Sequence, residues 1–423
     1  FCIHLLYFTK NIPYNEKHTK TQRRVLMLKD KNILLCVAGG IAAYKIPNLA
    51  SMLVKQGCNV NVLMTKNAES FITAKTFETL TGNTCIVDTF QTTYPPRIHH
   101  INLATTADYV MVAPATANII GKIAHGIADD MITSTLLACK CPVALAPAMN
   151  VNMFENPIVQ DNIATLKKYG YNIIEPATGY MACKAVGKGK LPEPVQLYKY
   201  IEKELAFTHD LQGKKVLVTA GATREPIDPV RYISNNSTGK MGYALAKAAM
   251  LRGADVTLVT GQTALEDIPF VHTVRVTTAQ DMYNAVTESF ATADITIKAA
   301  AVADYTPAEV AQNKIKKADG DANINLKRTK DILKELGNRK TDKQFVCGFS
   351  METENMLENS KEKLAKKNID MIVANNLKTE GAGFGTDTNV ITLITKESTE
   401  QLPIMSKEEC AHKIIDKILE LKG

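Results

Sequence analysis

The chain has 423 residues, of which 45% are hydrophobic and 22% are charged. This composition predicts a soluble globular protein of two or three domains and excludes a disordered chain, a collagen and a coiled coil. Its apolar runs are shorter than the ~18 residues that a membrane-spanning helix needs, so we expect no membrane partner.

Basic residues are concentrated at the start of the chain. The formal net charge is +7, and residues 1–26 hold five Lys and Arg residues against Glu16. The remainder is nearly balanced, so we expect no nucleic-acid partner, although local basic clusters can bind phosphate groups. Residues 1–26 also show no helix or strand periodicity and no signal-peptide order, so we expect a non-native or disordered leader.

The cysteines indicate a reducing cellular compartment rather than a fold stabilised by disulfide bonds. There are nine, an odd number without a C-x-x-C pair, which argues against a disulfide framework and favours a reducing compartment, the cytoplasm. Cys139 and Cys141 are too isolated for a zinc site. The sequence assigns no metal ligands.

The first half opens with the pattern of a nucleotide-binding α/β fold. An apolar strand over 33–37 is followed by Gly39 and Gly40, and apolar residues at helical spacing then predict a helix over 46–54. A strand over 60–64 completes a βαβ unit. Three more strands are predicted over 109–113, 143–146 and 172–174.

A second domain begins with the same pattern. The strand VLVTAG leads through a long polar loop to a predicted helix over 241–251 and a strand over 256–260. We therefore expect two Rossmann-like α/β domains with parallel sheets, the first flavodoxin-like. The predicted boundaries are 27–206, a linker over 207–212, and 213–423.

The glycine pair favours a mononucleotide over a dinucleotide. The G-x-G-x-x-G fingerprint is absent, and Met64-Thr65-Lys66 stands where a NAD site needs an acidic residue. This disfavours a NAD-dependent oxidoreductase, although a tight turn without any ligand explains the glycines equally well. In the second half STGK (237–240) fails the phosphate-loop pattern, but the long loop 223–240 is dense in Arg, Asn and Lys and is predicted to be functional.

Long motifs in both halves are similar to those of known enzymes. The first half closely resembles the flavin-dependent phosphopantothenoylcysteine decarboxylases in GGIAAYK (39–45), HINLA (100–104), APATAN (113–118), PAMNVNMF (147–154) and ACKAVGKGK (182–190). The second half resembles the phosphopantothenate–cysteine ligases in residues 223–242, AAAVADY (299–305) and KIKK (314–317). Together they resemble the bacterial bifunctional coenzyme A biosynthesis proteins, over essentially all of 27–423.

For the first half, the resemblance implies a lyase in which FMN oxidises the substrate thiol so that carbon dioxide can leave. It makes His100 the base, Asn150 the carboxylate-binding residue and Cys183 the proton donor. The implied FMN contacts are Gly39, Gly40, Ile41, Ala42, Thr65, Thr116 and Asn118. Without the resemblance, His100 would be assigned to solvated surface, Asn150 to a helix cap and Cys183 to the core.

For the second half, the resemblance implies a ligase that uses CTP and Mg²⁺ to activate an acid as an acyl-cytidylate. Asn235 is implied in forming and consuming that intermediate, and Lys314 in its conversion to product. The implied CTP contacts are Asp304, Lys314, Lys330, Asp331, Ile332, Leu333, Phe349, Lys363 and Lys367. By composition alone, Lys363 and Lys367 would be a solvated helix face.

The implied pathway joins cysteine to 4′-phosphopantothenate and then decarboxylates 4′-phosphopantothenoylcysteine to 4′-phosphopantetheine. The resemblance also implies a homo-oligomer, a dodecamer built from trimers of the first domain and dimers of the second. The alternative is a catalytically silent regulatory protein that binds FMN. His100, Asn150 and Cys183 are all present in the sequence, which disfavours that alternative.

Overall fold

Two parallel sheets organise the chain, one in each half. The computed structural model describes residues 27–90, 99–180, 184, 186–316, 323–352, 356–376 and 385–423. The predicted α/β class with parallel sheets is confirmed. Within the described residues, no helix is both long enough and apolar enough to cross a membrane.

The strands of the first half are β1 (Asn32–Val37), β2 (Asn59–Met64), β3 (Tyr109–Ala115), β4 (Val143–Pro147), β5 (Asn172–Ile173), β6 (Ala177–Tyr180) and β7 (Val186–Lys190). Its helices are α1 (Ile46–Lys55), α2 (Ala74–Thr81), α3 (His99–Thr106), α4 (Ala117–Ala124), α5 (Met131–Ala138), α6 (Val151–Phe154), α7 (Pro157–Lys168) and α8 (Pro194–Leu205). Short 3₁₀ helices span Ile41–Lys45 and Lys66–Ser70.

The strands of the second half are β8 (Lys215–Ala220), β9 (Arg224–Pro226), β10 (Tyr232–Ser234), β11 (Asp255–Thr260), β12 (His272–Arg275), β13 (Ile295–Lys298), β14 (Tyr305–Pro307), β15 (Leu326–Arg328), β16 (Phe345–Glu352), β17 (Met371–Asn376), β18 (Thr388–Asn389), β19 (Ile391–Thr395), β20 (Thr399–Gln401) and β21 (Met405–Ser406). Its helices are α9 (Lys240–Leu251), α10 (Ala279–Phe290), α11 (Ile332–Arg339), α12 (Met356–Lys366) and α13 (Lys407–Lys422).

The first sheet has the order β2-β1-β3-β4-β5 with all neighbours parallel, which is the flavodoxin-like order. The second runs β12-β11-β8-β13-β16-β17-β19-β20. Its first six strands are parallel, in the Rossmann order, and β19 and β20 are antiparallel additions. The predicted flavodoxin-like first domain and Rossmann-like second domain are both observed.

Each sheet is buried on both faces, which explains its unbroken apolar strands. Ile33, Leu35 and Val37 of β1 pack with α1 and α8, while Leu34 and Cys36 pack with α4, α5 and α7. Alternate side chains of a strand point to opposite faces, so a strand with two covered faces must be apolar throughout. The crossovers after β1 and β3 therefore leave the sheet on opposite sides.

The segment 223–240, predicted from the sequence as one long polar loop, contains two short strands. It contains the antiparallel pair β9 and β10, in which Ile233 lies opposite Glu225. The turn between them is closed by Asp228, which accepts hydrogen bonds from the backbone N–H groups of Val230 and Arg231, both at 2.8 Å. Strands of three residues are too short to produce a readable alternation of polar and apolar residues.

The segment predicted as a linker packs against the second half. Leu211 is 1% exposed, and the Phe207 ring stacks on His412 with centroids 4.0 Å apart. Arg252 lies between Asp210 and Asp416, at 2.5 and 2.6 Å. These contacts hold the segment on α13.

The His412 contact predicts a pH-dependent stability. Burial, aided by the nearby Arg252 charge, lowers the pKa of His412 to about 4, whereas an unfolded histidine has a pKa of ~6.5. The folded form therefore keeps His412 neutral, and this contribution to stability is complete above pH 6.5 and is lost as the pH falls towards 4. We expect His412→Phe, which keeps a ring against Phe207, to reduce the fall in thermal unfolding midpoint between pH 7 and pH 4.5.

The matched control is His272→Phe at an exposed position on β12, which should follow the wild type. A parallel fall in the His412→Phe variant would contradict the assignment.

Candidate active sites

The first cavity lies at the carboxyl ends of β1 and β3, where the following helices α1 and α4 diverge to opposite faces of the sheet. Its volume is about 1090 Å³. Ligands of open parallel sheets bind at this kind of switch point. The structure brings all the predicted FMN contacts to its lining: Gly39, Gly40, Ile41, Ala42, Thr65, Thr116 and Asn118.

Gly39 lets two segments of the first cavity approach each other. A β-carbon at position 39 would lie 2.5 Å from Cβ and 2.8 Å from the carbonyl carbon of Asn67. Both distances are below any normal contact, so only glycine allows the Lys66–Ser70 helix to close against the turn after β1. Steric closeness, rather than a special backbone angle, explains this glycine.

The polar groups of the first cavity fit a phosphate-bearing flavin. The Thr65 hydroxyl is buried and has no hydrogen-bond partner among the described residues, although buried hydroxyls are normally paired. Thr116 caps α4 at its N-terminus by accepting from the Ile119 N–H at 3.4 Å. The lining also includes the apolar Ile41 and Ala148, as an aromatic ring system requires.

The charged groups at the rim of the first cavity are paired. The Lys45 amine lies 2.7 Å from Glu193, and the hydrogen bond holds the pKa of that carboxyl below its usual range. Lys190 lies 3.9 Å from the same carboxylate. All three residues line the cavity together with Lys66, Lys122 and Asp130, so its two carboxylates offset part of the charge of its four lysines.

The three predicted decarboxylase residues do not all line the first cavity. Asn150 lines the first cavity, where its side-chain oxygen accepts from the Asn152 N–H at 2.9 Å and caps α6. His100 is part-buried near the start of α3, away from the described lining of the cavity. Cys183 lies outside the described residues.

The second cavity, of about 750 Å³, lies at the carboxyl ends of β8 and β13. The following helices, α9 and α11, again pack on opposite faces of the sheet. Most of the predicted ligase residues line it, in the set Asn235, Asp304, Lys330, Asp331, Ile332, Leu333, Phe349, Lys363 and Lys367. Lys314 is exposed and is absent from the described lining.

The start of α9 forms one wall of the second cavity. A β-carbon on Gly242 would lie 2.5 Å from Cβ of Ala220 and 2.7 Å from the Thr219 carbonyl oxygen. Glycine therefore allows the first turn of α9 to press against the end of β8. The STGK segment that failed the phosphate-loop pattern occupies this wall, with Gly239 rather than a polar side chain at the helix cap.

The opposite wall is formed by α11 and the end of α12. Asp331 caps α11 by accepting from the Lys334 N–H at 3.1 Å and pairs with Lys367 at 3.0 Å. The Lys330 amine lies 4.4 Å from the centroid of the Tyr283 ring, a cation–π contact. At the floor, the Asn235 amide donates to the Ala301 carbonyl at 3.2 Å.

Asp228 connects the loop over 223–240 to the segment that contains Lys314. Its buried carboxylate accepts from the Arg231 guanidinium at 2.5 Å and from the Ile315 N–H at 3.2 Å. Arg231 also donates to the Ile315 carbonyl at 3.0 Å. The Arg231 hydrogen bonds hold the pKa of Asp228 well below its usual range, so this anchor remains charged near neutral pH.

Several cavity residues were not predicted from the sequence. Lys298 ends β13, Lys240 begins α9 and pairs with Asp387 at 2.7 Å, and Lys407 begins α13 and is buried. The sequence feature that could have identified Lys298 is a lysine at the end of an apolar strand, directly before AAAVADY. No group of three His, Cys, Asp or Glu side chains that could hold a metal occurs in the described residues.

Comparisons with known proteins match the two halves of the chain to two separate families. Residues 21–206 match the family described as "Flavoprotein", and residues 211–421 match "DNA/pantothenate metabolism flavoprotein C-terminal domain". The coenzyme A biosynthesis bifunctional protein CoaBC of Bacillus subtilis (strain 168) is 50% identical over 399 residues, which are 93% of this chain and 98% of that protein. The chain belongs to this bifunctional family.

A second relative and one solved structure are also similar to this chain. The bifunctional protein CoaBC of Vibrio vulnificus (strain YJ016) is 42% identical over 94% of this chain and 99% of its own length. A crystal structure titled as the C-terminal domain of coenzyme A biosynthesis bifunctional protein CoaBC is 45% identical, with a TM-score of 0.43, over 50% of this chain and 96% of that one. The two family matches and the CoaBC relatives make this chain a coenzyme A biosynthesis enzyme with decarboxylase and ligase activities.

The steric role of Gly39 predicts a loss of flavin in this family member. Gly39→Ala should displace the Lys66–Ser70 helix at a cost of about 1–3 kcal/mol, which weakens flavin binding about 10-fold or more. Flavin absorbance relative to protein measures the retained cofactor. The control Gly121→Ala in α4 has only the Asn162 amide at 3.7 Å to meet and should keep its flavin; equal retention in Gly39→Ala would contradict the steric argument.

The Asp228 anchor predicts a selective loss of ligation. Asp228→Asn removes the charge partner of Arg231 and releases the segment of Lys314, the residue that its motif implies in ligation. We therefore expect kcat/KM for ligation to fall about 10- to 100-fold, the effect of shifting a group that the reaction needs by about 1 Å. Decarboxylation of supplied 4′-phosphopantothenoylcysteine should not change. The control is Asp267→Asn, whose carboxylate is 63% exposed beside Arg275; ligation at wild-type rate in Asp228→Asn would rule out the anchor.

Proposed function

We propose that this bifunctional enzyme first joins cysteine to 4′-phosphopantothenate with CTP, in residues 213–423. It then decarboxylates 4′-phosphopantothenoylcysteine to 4′-phosphopantetheine with FMN, in residues 27–206, and residues 207–212 link the two domains. The observation that carries this proposal is that the predicted FMN contacts and Asn150 line one cavity and most of the predicted ligase residues line the other. The silent regulatory alternative is not favoured, because the relatives are named as bifunctional proteins.

In the first cavity, Thr65, Thr116 and Asn118 would hold the phosphate and polar chain of FMN, against the turn at Gly39 and Gly40. Bound FMN would supply the oxidation that makes the substrate carboxylate able to leave. The unpaired buried hydroxyl of Thr65 supports this role, since a phosphate or ribityl oxygen would provide the missing partner.

Asn150 is proposed to bind the substrate carboxylate. A neutral amide donates a hydrogen bond to the anion but does not oppose its conversion into neutral carbon dioxide, whereas a nearby buried cation would. Asp130 and Glu193 offset part of the positive charge of the lysines that line this cavity. Cys183 is proposed as the proton donor on the strength of its motif.

His100 is proposed as the base, brought to the first cavity by a second copy of the chain. It is absent from the described lining of its own cavity, and presentation by another subunit would bring it to a site. This supports the proposed homo-oligomer, a dodecamer of flavin-domain trimers and ligase-domain dimers. The free cysteines of the described residues support a cytoplasmic location.

In the second cavity, CTP is proposed to bind among Asp304, the 330–333 segment, Phe349, Lys363 and Lys367. Mg²⁺ would accompany the triphosphate and spread its charge. Asn235, on the opposite loop, is proposed to act on the acyl-cytidylate. Lys314 is proposed to enter the reaction from the rim, on the segment that Asp228 anchors.

One assay tests the complete proposal. The purified protein is incubated with 4′-phosphopantothenate, cysteine, CTP and Mg²⁺, and the products are identified by mass spectrometry. We expect 4′-phosphopantetheine from the wild type, and accumulation of 4′-phosphopantothenoylcysteine from His100→Asn, because general-base catalysis contributes about 10²–10⁴-fold.

The control His99→Asn changes the neighbouring histidine, to which the motif gives no role, and should still form the final product. No new mass from the wild type would overturn the ligase assignment. Full conversion by His100→Asn would remove the proposed base.

A further inference from the structure

Lys298 ends the central strand of the second sheet and lines the second cavity. In register it lies between Thr219 at the end of β8 and Gly348 on β16. The helices that follow β8 and β13 pack on opposite faces of the sheet, so Lys298, at the end of β13, lies at the switch point of this sheet. Gly348 carries no side chain that could cover it.

The alternation along β13 places the Lys298 side chain on one defined face. Ile295 and Ile297 pack into the core beneath α9 and α13. Thr296 and Lys298 therefore point to the opposite face, on the side of α11 and α12. Lys298 is the residue of this strand that reaches the cavity instead of the core.

The Lys298 amine has no ion pair or hydrogen bond within the described part of the chain, although it is part-buried. Four charged groups face it: Lys363 and Lys367 at the end of α12, Asp331 at the start of α11, and Asp304 after β13. Asp331 is already paired with Lys367 at 3.0 Å. Burial, followed by repulsion from Lys367 and Lys363, lowers the pKa of Lys298 to about 8.

An unpaired amine held beside two other cations is unfavourable unless an anion enters the cavity. A nucleoside triphosphate is such an anion, and ammonium groups are common phosphate ligands. We propose that Lys298 binds a phosphate of the nucleotide at the floor of the second cavity, an inference that rests on the proposed use of CTP. Binding would then return a full charge to Lys298.

The proposal predicts a loss of nucleotide affinity. By calorimetric titration with CTP and Mg²⁺ at pH 7, Lys298→Met should weaken the Kd about 10- to 100-fold, the value of a charged hydrogen bond. Lys298→Arg should recover most of the affinity. The control Lys361→Met, at an exposed position of α12, should bind as the wild type does.

The pH dependence separates a phosphate contact from a structural role. Because protonated Lys298 is the binding form, wild-type affinity should change little between pH 7 and pH 8 and fall above it, by up to about tenfold per pH unit. At pH 8.5 binding should take up protons, measured from the heats in two buffers. Lys298→Arg should lose the part of this uptake that belongs to Lys298, because arginine stays charged; any uptake from Lys407 across the cavity remains in both proteins.

The outcomes distinguish this inference from the proposed function. If the wild type binds no CTP, the proposed nucleotide use fails first. If the wild type binds CTP and Lys298→Met binds it equally well, or if only the affinity for 4′-phosphopantothenate changes, the inference is overturned. A thermal unfolding profile equal to that of the wild type establishes that the second domain of Lys298→Met is folded. Unchanged proton uptake in Lys298→Arg also overturns the inference.

Discussion

Both sites depend on the same constraint of parallel sheets. All strands of such a sheet end at one edge, and a gap opens where two neighbouring strands send their helices to opposite faces. Here those pairs are β1 with β3 and β8 with β13. Gly39 and Gly242 keep each gap narrow, because any side chain at either position would push a neighbouring segment away. The motifs bind ligands only because the sheets bring their separate segments together.

The predictable part of the fold was the part with local patterns. Strands such as Ile33–Val37 are apolar on both faces, and the helix after them repeats its apolar residues at helical spacing, so both are readable from neighbouring residues. The contact of Asp228 with Ile315 joins residues 87 apart, and no local pattern records it. Lys298 was missed for a related reason, since its cavity is assembled from eight separate segments between residues 235 and 407.

The candidate site was predictable where a motif carried it, and the geometry added what the motifs could not. The FMN set and Asn150 meet in one cavity, as a resemblance alone could not show. His100 has an equally specific motif, yet it lies away from that cavity. A sequence names the residues of a site without stating whether one chain contains them all.

The two cavities differ in charge in the way their proposed chemistry requires. The first is lined by four lysines and two carboxylates, Asp130 and Glu193, so it holds the smaller excess of positive charge beside a carboxylate that must lose its charge. In the described lining of the second, six lysines, among them Lys298, Lys363 and Lys367, and one arginine face two carboxylates, Asp304 and Asp331, which suits a polyanion. Such a cluster costs stability in the free protein, and it is tolerated because the strands beneath it, including Ile297 and Cys347, are fully buried. The proposed nucleotide relieves this repulsion when it binds, and the free energy that is released adds to its affinity. Lysines that repel one another on a rigid sheet therefore favour binding of an anion.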